Sequence, residues 1–136
     1  MKENRKIDFS YPKKVEFISI LREDLQKALS GDGISHSRLN DLTFILNEMF
    51  TNFLRHSVSP AESLFRYEVS LFADKLQLIV TYIDQEYSEI KLLPPRIEEL
   101  PVDGYGLFMA SKMSREMKIE YLTREKLLKF TFLLAA

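Results

Sequence analysis

The hydrophobic pattern of the chain begins with a strict alternation, in which Ile7, Phe9 and Tyr11 are separated by single polar residues. A period of two is typical of a β-strand, and Pro12 ends the run because proline lacks a backbone N–H. The spacing then changes to three and four residues, which places apolar side chains on one face of a helix. We predict that this helix runs to about Leu29, with a buried stripe formed by Val15, Ile18, Leu21, Leu25 and Leu29.

A second helix is predicted after the sequence Ser-Gly-Asp-Gly at 30–33, because glycine commonly follows a helix C-terminus. Either Ser35 or Ser37 can cap it, since a serine side chain accepts a hydrogen bond from a free N–H of the first turn. The helix extends to about His56, and its broad apolar face consists of Leu39, Leu42, Ile45, Leu46, Met49, Phe50 and Phe53.

Two β-rich runs follow at 64–72 and 76–84, and the short turn between them predicts an antiparallel hairpin. The next segment, from Asp84 to Asp103, has no clear periodicity and contains Pro94, Pro95 and Pro101. A connection of this length inside a small domain is commonly functional. We therefore predict a lid at 84–103.

The last part of the chain combines a short helix with a closing hairpin. The stretch GYGLFMASKMS at 104–114 predicts a glycine turn that enters a helix, and the runs at 117–122 and 127–134 predict two further strands. The order is therefore strand, two helices, two strands, lid, helix and two strands. Such segregation predicts an α+β fold, a two-layer sandwich in which helices cover one face of a mixed or antiparallel sheet.

The composition favours one domain covering residues 1–136. With 136 residues, of which 46% are hydrophobic, the chain can bury a core without disulfides or a structural metal. It contains no cysteine, which excludes disulfides, thiolate zinc sites and a cysteine nucleophile. Two histidines, His36 and His56, are too few for a structural zinc site.

The charge balance and the hydropathy of the chain bear on which partners it binds and where in the cell it is expected. The 19 Lys and Arg residues oppose 20 Asp and Glu residues, so the formal charge is -1 and no basic field favours nucleic acid. The longest apolar run, around 76–83, is much too short to cross a bilayer, and the charged first residues precede no apolar segment. We expect a cytoplasmic protein that binds neither nucleic acid nor a membrane.

Three polar residues of the second helix point to chemistry. Glu48, Asn52 and His56 are one helical turn apart, and each step advances by ~40° around the axis, which places them in a slanting row beside the apolar face. Asparagine is a poor residue for a helix interior and needs another reason to be there. Taken singly, Glu48 also fits surface solvation, Asn52 a satisfied polar group, and His56 a favourable contact with the helix dipole.

Together with two other segments, this row forms an ordered set of motifs. The helix segment NEMFTNFLRH carries Glu-x-x-x-Asn with a downstream histidine, TYIDQEYSEI ends a strand with an aspartate, and GYGLFMASKMS opens a helix with Gly-x-Gly-Leu. In order and spacing the set resembles the histidine-kinase-like ATPases, specifically the small anti-sigma-factor serine kinases, over nearly the whole chain. A single Gly-x-Gly would be a weak signal, whereas the ordered set is more specific.

The resemblance implies a site for ATP and Mg²⁺. Asn52 is then a magnesium ligand, and the remaining ligands come from nucleotide phosphates and water. Gly104 and Gly106, followed by Leu107, allow the backbone to approach phosphates at a helix N-terminus, whose free N–H groups attract anions. Glu48 is the general base that deprotonates an attacking hydroxyl. We expect the polar row to face a cleft that this glycine turn closes.

The adenine side of the implied site departs from the family pattern. Asp84 is expected to accept a hydrogen bond from the adenine amine, and its alternative is a turn-starting aspartate. Glu86 and Ser88 occupy the glycine positions of the first glycine motif, and Ser88 is the milder change because similar kinases carry serine there. If the Glu86 backbone must be left-handed, it costs ~1–2 kcal/mol, and its carboxylate opposes an anionic nucleotide. His56 fits either a ligand contact or a plain helix end.

Two functions of different classes follow. The first is an ATP-dependent serine/threonine kinase of the anti-sigma type, which by resemblance forms a homodimer, holds a sigma factor and phosphorylates an antagonist protein. The second is a degenerate member that regulates by binding partners without ATP turnover, and Glu86 is its main support. Glu48 and Asn52 speak against the second function, since neither is a natural choice for packing. An unrelated small-molecule-sensing domain ranks last because it requires three coincidental motifs.

Overall fold

A computed structural model describes residues 3–87 and 105–136 of the chain. Within these ranges the elements follow the predicted order. They are β1 (Arg5–Pro12), α1 (Phe17–Leu29), α2 (His36–His56), β2 (Leu64–Leu71), β3 (Lys75–Ile83), α3 (Tyr105–Met113), β4 (Glu116–Leu122) and β5 (Leu127–Ala135). None of these described helices has the length and apolar character that a membrane span requires. Most of the predicted lid, 88–103, lies outside the described residues.

The beginnings of the two long helices follow from local hydrogen bonds. α1 begins at Phe17, whose amide donates to the Lys14 carbonyl at 3.1 Å, so Val15 lies in the preceding turn and is 66% exposed. The prediction that Val15 joins the buried stripe is therefore wrong. At α2 the cap is Ser35, whose Oγ accepts a hydrogen bond from the Arg38 amide at 3.1 Å.

The strands form one sheet in the order β1-β2-β3-β5-β4, and every adjacent pair is antiparallel. Burial alternates strictly along β3 and β5 because successive side chains point to opposite faces. One row of the covered face runs across all strands through Ile7, Val69, Leu78, Phe132 and Met117. The predicted α+β class is confirmed, with helices on one face, and the sheet between the described strands is wholly antiparallel.

The core lies between this covered face and the helices α1 and α2. The Phe50 and Phe53 rings of α2 pack against Phe65 of β2, with centroid separations of 5.1 and 5.8 Å. Each fully buried side chain of this size contributes ~1.5–3 kcal/mol relative to an exposed one. α2 is anchored by its buried residues Leu42, Ile45, Leu46, Met49, Phe50 and Phe53. The border of α2 that carries the polar row is therefore held in a fixed position.

Candidate functional site

The polar row lies on α2 at the edge of its buried face, as the spacing predicts. Glu48 and Asn52 are half-buried, whereas their neighbours Met49 and Phe53 are fully buried. His56 is the last residue of α2 and is exposed. A basic side chain at a helix C-terminus interacts favourably with the dipole, so this position has a structural reason of its own. A ligand contact of His56 stays a prediction.

Glu48 lies directly against the first turn of α3. A Cβ on Gly106 would stand 1.9 Å from Glu48 Oε2 and 2.5 Å from Glu48 Cδ, which is closer than real side chains approach. The absence of a side chain at Gly106 thus allows the helix backbone to meet the carboxylate. The partial positive charge at the N-terminal turn of a helix favours an anion in this place. The fold therefore brings two predicted site residues, from α2 and α3, into contact.

The other residues of the second glycine motif have different positions. Leu107 is 6% exposed and belongs to the hydrophobic core together with Ala110, so its side chain anchors α3. Only the backbone of Leu107 can therefore take part in binding a ligand. Gly104 and Ser88 lie outside the described residues, so their predicted nucleotide contacts stay predictions. The cleft expected between Asn52 and the glycine turn stays a prediction for the same reason.

Asp84 directly follows β3 and is 2% exposed. Its Oδ1 accepts hydrogen bonds from the amides of Glu86, at 3.0 Å, and Val58, at 3.3 Å. The Gln85 amide in turn donates to the Val58 carbonyl at 2.7 Å. These bonds join the loop after β3 to the loop after α2, so Asp84 lies beside the C-terminal end of α2. Asp84 therefore starts a turn, as the alternative interpretation of this residue predicts, and its Oδ1 makes the hydrogen bonds of that turn.

The backbone at Glu86 is not left-handed. Among the described residues other than glycine, Lys126 alone has a positive φ, of 56°. The cost that a left-handed Glu86 would carry therefore does not arise, because the Glu86 amide instead bonds the Asp84 carboxylate in a tight turn. The Glu86 side chain is exposed, where water and salt screen its repulsion of an anion.

The β4–β5 hairpin completes the surroundings of Asp84 with contacts that no sequence motif marks. Tyr121 Oη donates to the Asp84 carbonyl at 2.7 Å, and the Asp84 amide donates to the Lys126 carbonyl at 2.9 Å. The Tyr87 ring stacks on the Tyr121 ring with 4.6 Å between their centroids. These contacts depend on the sheet order, which places β5 beside β3 and brings the hairpin turn to the end of β3.

The tyrosines around Asp84 are poor acids. Burial raises the pKa of both Tyr82 and Tyr121 above the ordinary tyrosine value, and the nearby Asp84 carboxylate raises it further. An ordinary tyrosine is already protonated at physiological pH, so these shifts extend the range in which both hydroxyls are protonated to more alkaline pH. Tyr121 accordingly remains a hydrogen-bond donor to the Asp84 carbonyl.

Asn52 is suited to supply one ligand of a magnesium ion whose other ligands are phosphate oxygens and waters. In the ranges 3–87 and 105–136, no group of three or more His, Cys, Asp or Glu residues could hold a metal ion. Mg²⁺ binds hard oxygen ligands and generally keeps several waters and phosphate oxygens, so one side-chain amide oxygen is a normal protein contribution. The half-buried Asn52 side chain therefore fits a magnesium ion that arrives with a triphosphate.

Known proteins are similar to this chain over most of its length. The family model of the histidine kinase-like ATPase domain matches residues 11–132. Serine-protein kinase RsbW of Listeria innocua is 27% identical over 125 residues, which cover 85% of this chain and 80% of that kinase. Serine-protein kinase RsbW of Bacillus mycoides is 21% identical over 127 residues, which cover 88% of this chain and 79% of that kinase.

A solved structure has the same fold. It is the crystal structure of the RsbU and RsbW domains of a Mycobacterium tuberculosis protein, with a TM-score of 0.70 and 15% sequence identity. The matched region covers 96% of this chain and 32% of that chain, so this chain spans about a third of the solved one.

Proposed function

We propose, because the chain belongs to the histidine kinase-like ATPase domain family, that it is an ATP-dependent serine/threonine protein kinase of the anti-sigma type. The observation that carries the proposal is the contact of Glu48 with Gly106, which favours a general base held beside a helix turn suited to phosphate. The family resemblance drawn from the motifs is confirmed by the match over 11–132. The relatives named serine-protein kinases favour a protein hydroxyl as the acceptor.

In this proposal each phosphate-side residue has a defined task. Asn52 would hold Mg²⁺ through its side-chain oxygen, and the backbone at Gly104, Gly106 and Leu107 would bind phosphate oxygens. The magnesium ion supplies neutralisation of negative charge on the phosphates. Glu48 would orient the hydroxyl of a serine or threonine and accept its proton.

Adenine recognition is proposed for Asp84, with Ser88 and His56 as further nucleotide contacts. The two amides bonded to Asp84 Oδ1 fix the orientation of the carboxylate. A fixed acceptor discriminates between purines, since adenine presents an amine where guanine presents a carbonyl.

The proposed biological role includes partners. By family resemblance the kinase would act as a cytoplasmic homodimer, bind a sigma factor, and phosphorylate an antagonist protein, without contact to nucleic acid or a membrane. Incubation with γ-labelled ATP, Mg²⁺ and a candidate antagonist tests the activity. We expect label on a serine or threonine of the antagonist. Release of phosphate without protein label would contradict the kinase and leave an ATPase.

A partner-binding module without catalysis is the alternative function. Its supporting observation is the acidic Glu86 in place of a glycine, next to the residue proposed for adenine. The unstrained Glu86 backbone weakens this alternative, because the structural cost it relied on does not arise. A protein that binds its sigma factor equally well with and without ATP, and transfers no phosphate, would favour the module.

Asp84→Asn tests adenine recognition. The amide keeps one oxygen for the Val58 and Glu86 amides but replaces the other acceptor with an N–H donor. We expect the affinity for ATP to fall about tenfold and the preference for ATP over GTP to shrink, because the amide donates to the guanine carbonyl. Titration of both nucleotides measures the two Kd values. Asp74→Asn, at an exposed turn, is the matched control, and an unchanged preference in Asp84→Asn removes this residue from the role.

Gly106→Ala tests the contact that carries the proposal. The new methyl group displaces the flexible end of Glu48, while alanine favours the helix, so the free energy of unfolding should change by no more than about 1 kcal/mol. We expect phosphotransfer to fall about tenfold because the base is misplaced. In a Glu48→Ala background the same substitution should have no further effect. Full activity of Gly106→Ala would show that the contact is not required.

A further inference from the structure

The main chain of Asp84 is held by the β4–β5 hairpin. Its amide and its carbonyl are bonded to the Lys126 carbonyl and the Tyr121 hydroxyl, respectively. Its carboxylate Oδ1 is bonded to the Val58 and Glu86 amides. The orientation of this buried residue is therefore set by groups from separate segments. The β4–β5 hairpin supplies the hydrogen bonds to both the amide and the carbonyl of Asp84.

Lys126 adopts an unusual conformation to make its contact. Its φ of 56° lies in the left-handed region, which residues with a Cβ rarely occupy. Leu127, the next residue, pairs with Ile83 at the end of β3. The left-handed residue therefore stands where the hairpin turn meets the end of β3, with its carbonyl on the Asp84 amide. A left-handed residue is a common way to close a hairpin loop, so the feature that bears on Asp84 is the Lys126 carbonyl, which accepts a hydrogen bond from the Asp84 amide.

Tyr121 contacts the loop after β3 through two different groups. Its hydroxyl bonds the Asp84 carbonyl, and its ring carries the stacked ring of Tyr87. The Tyr121 hydroxyl is protonated over the physiological pH range, so it remains a donor to the Asp84 carbonyl. Strand β4 therefore contacts the loop after β3 at Asp84, where the loop begins, and again at Tyr87.

We propose that Tyr121 and Lys126 are positioning residues for purine recognition, which they control by fixing the peptide groups of Asp84. This inference rests on the proposed function, in which the Asp84 carboxylate accepts a hydrogen bond from adenine. If the peptide tilts, the carboxylate moves away from the plane in which it meets the adenine amine. Discrimination between purines then falls, whereas binding of the phosphates is unaffected.

Tyr121→Phe tests the inference because it removes the hydroxyl and keeps the ring that stacks on Tyr87. We expect the affinity for ATP to fall by up to about threefold to tenfold, because a less fixed Asp84 loses preorganisation that at most equals the free energy of one hydrogen bond. The ratio of ATP to GTP affinity should fall by the same factor. The affinity for magnesium tripolyphosphate, which has no base, should not change. Titration of the full chain with the three ligands measures these values.

Tyr11→Phe is the matched control for a general loss of stability. Tyr11 lies on β1, the strand at the other edge of the sheet, and its hydroxyl donates to Asp24 of α1 at 2.6 Å. We expect Tyr11→Phe to leave the ATP-to-GTP ratio unchanged. An equal loss in both variants, or an unchanged ratio in Tyr121→Phe while the wild type prefers ATP, overturns the positioning role alone. A wild type that binds tripolyphosphate but does not distinguish the nucleotides also overturns it, and a wild type that binds none of the three overturns the proposed function as well.

Discussion

Glu48→Gln is expected to lower phosphotransfer by about 10²- to 10⁴-fold while the affinity for ATP is kept, because the amide has the shape of the carboxylate but cannot accept the proton. The side chain is half-buried against Gly106, and glutamine has nearly the same volume, so the packing of α2 on α3 should remain. Single-turnover transfer of labelled phosphate to the antagonist measures the chemical step. Titration with ATP measures binding separately.

Glu86→Gln is the matched control for this experiment. It makes the same chemical change on an exposed carboxylate near the proposed adenine site. We expect its transfer rate to be unchanged, and its affinity for ATP to be equal or slightly higher because one negative charge is removed. Undiminished transfer by Glu48→Gln would exclude Glu48 as the general base, whereas equal losses in both variants would indicate a general effect of charge.

Most secondary structure could be predicted because each element carries its own hydrophobic period. Leu128, Phe130, Phe132 and Leu134 alternate along β5 and are all buried. The sheet order could not be predicted, since β5 lies between β3 and β4 through pairings between segments distant in sequence. Val15 continues the apolar spacing of α1 but lies in the turn before it, and periodicity alone does not locate a helix start within such a margin.

The candidate site was predictable where its residues lie in local motifs. Glu48 and Asn52 are on one helix, so their common border follows from spacing. The contact of Glu48 with Gly106 depends on how α2 and α3 pack, which spacing does not determine. Lys126 carries no sequence signal, because glycine or asparagine is the usual left-handed residue. The strain considered for Glu86 is absent because its amide forms a tight turn with Asp84.

Asn52→Ala is expected to weaken binding of magnesium-ATP by about 100-fold, because loss of a residue that only orients a metal ligand already costs about 10- to 100-fold and Asn52 is proposed as a ligand itself. Alanine is a better helix former than asparagine, so the variant should fold and α2 should persist. The residual binding should no longer depend on magnesium. Asn40→Ala, at an exposed position of the same helix, is the matched control and should bind like the wild type.

Isothermal titration of the wild type and Asn52→Ala with ATP, each with and without Mg²⁺, tests most directly whether the polar row of α2 binds a magnesium nucleotide. The predicted result is wild-type binding that weakens strongly on removal of either magnesium or the Asn52 side chain, with no further loss when both are removed. Equal binding by both proteins, or no binding by the wild type at millimolar ATP, would contradict the proposed kinase.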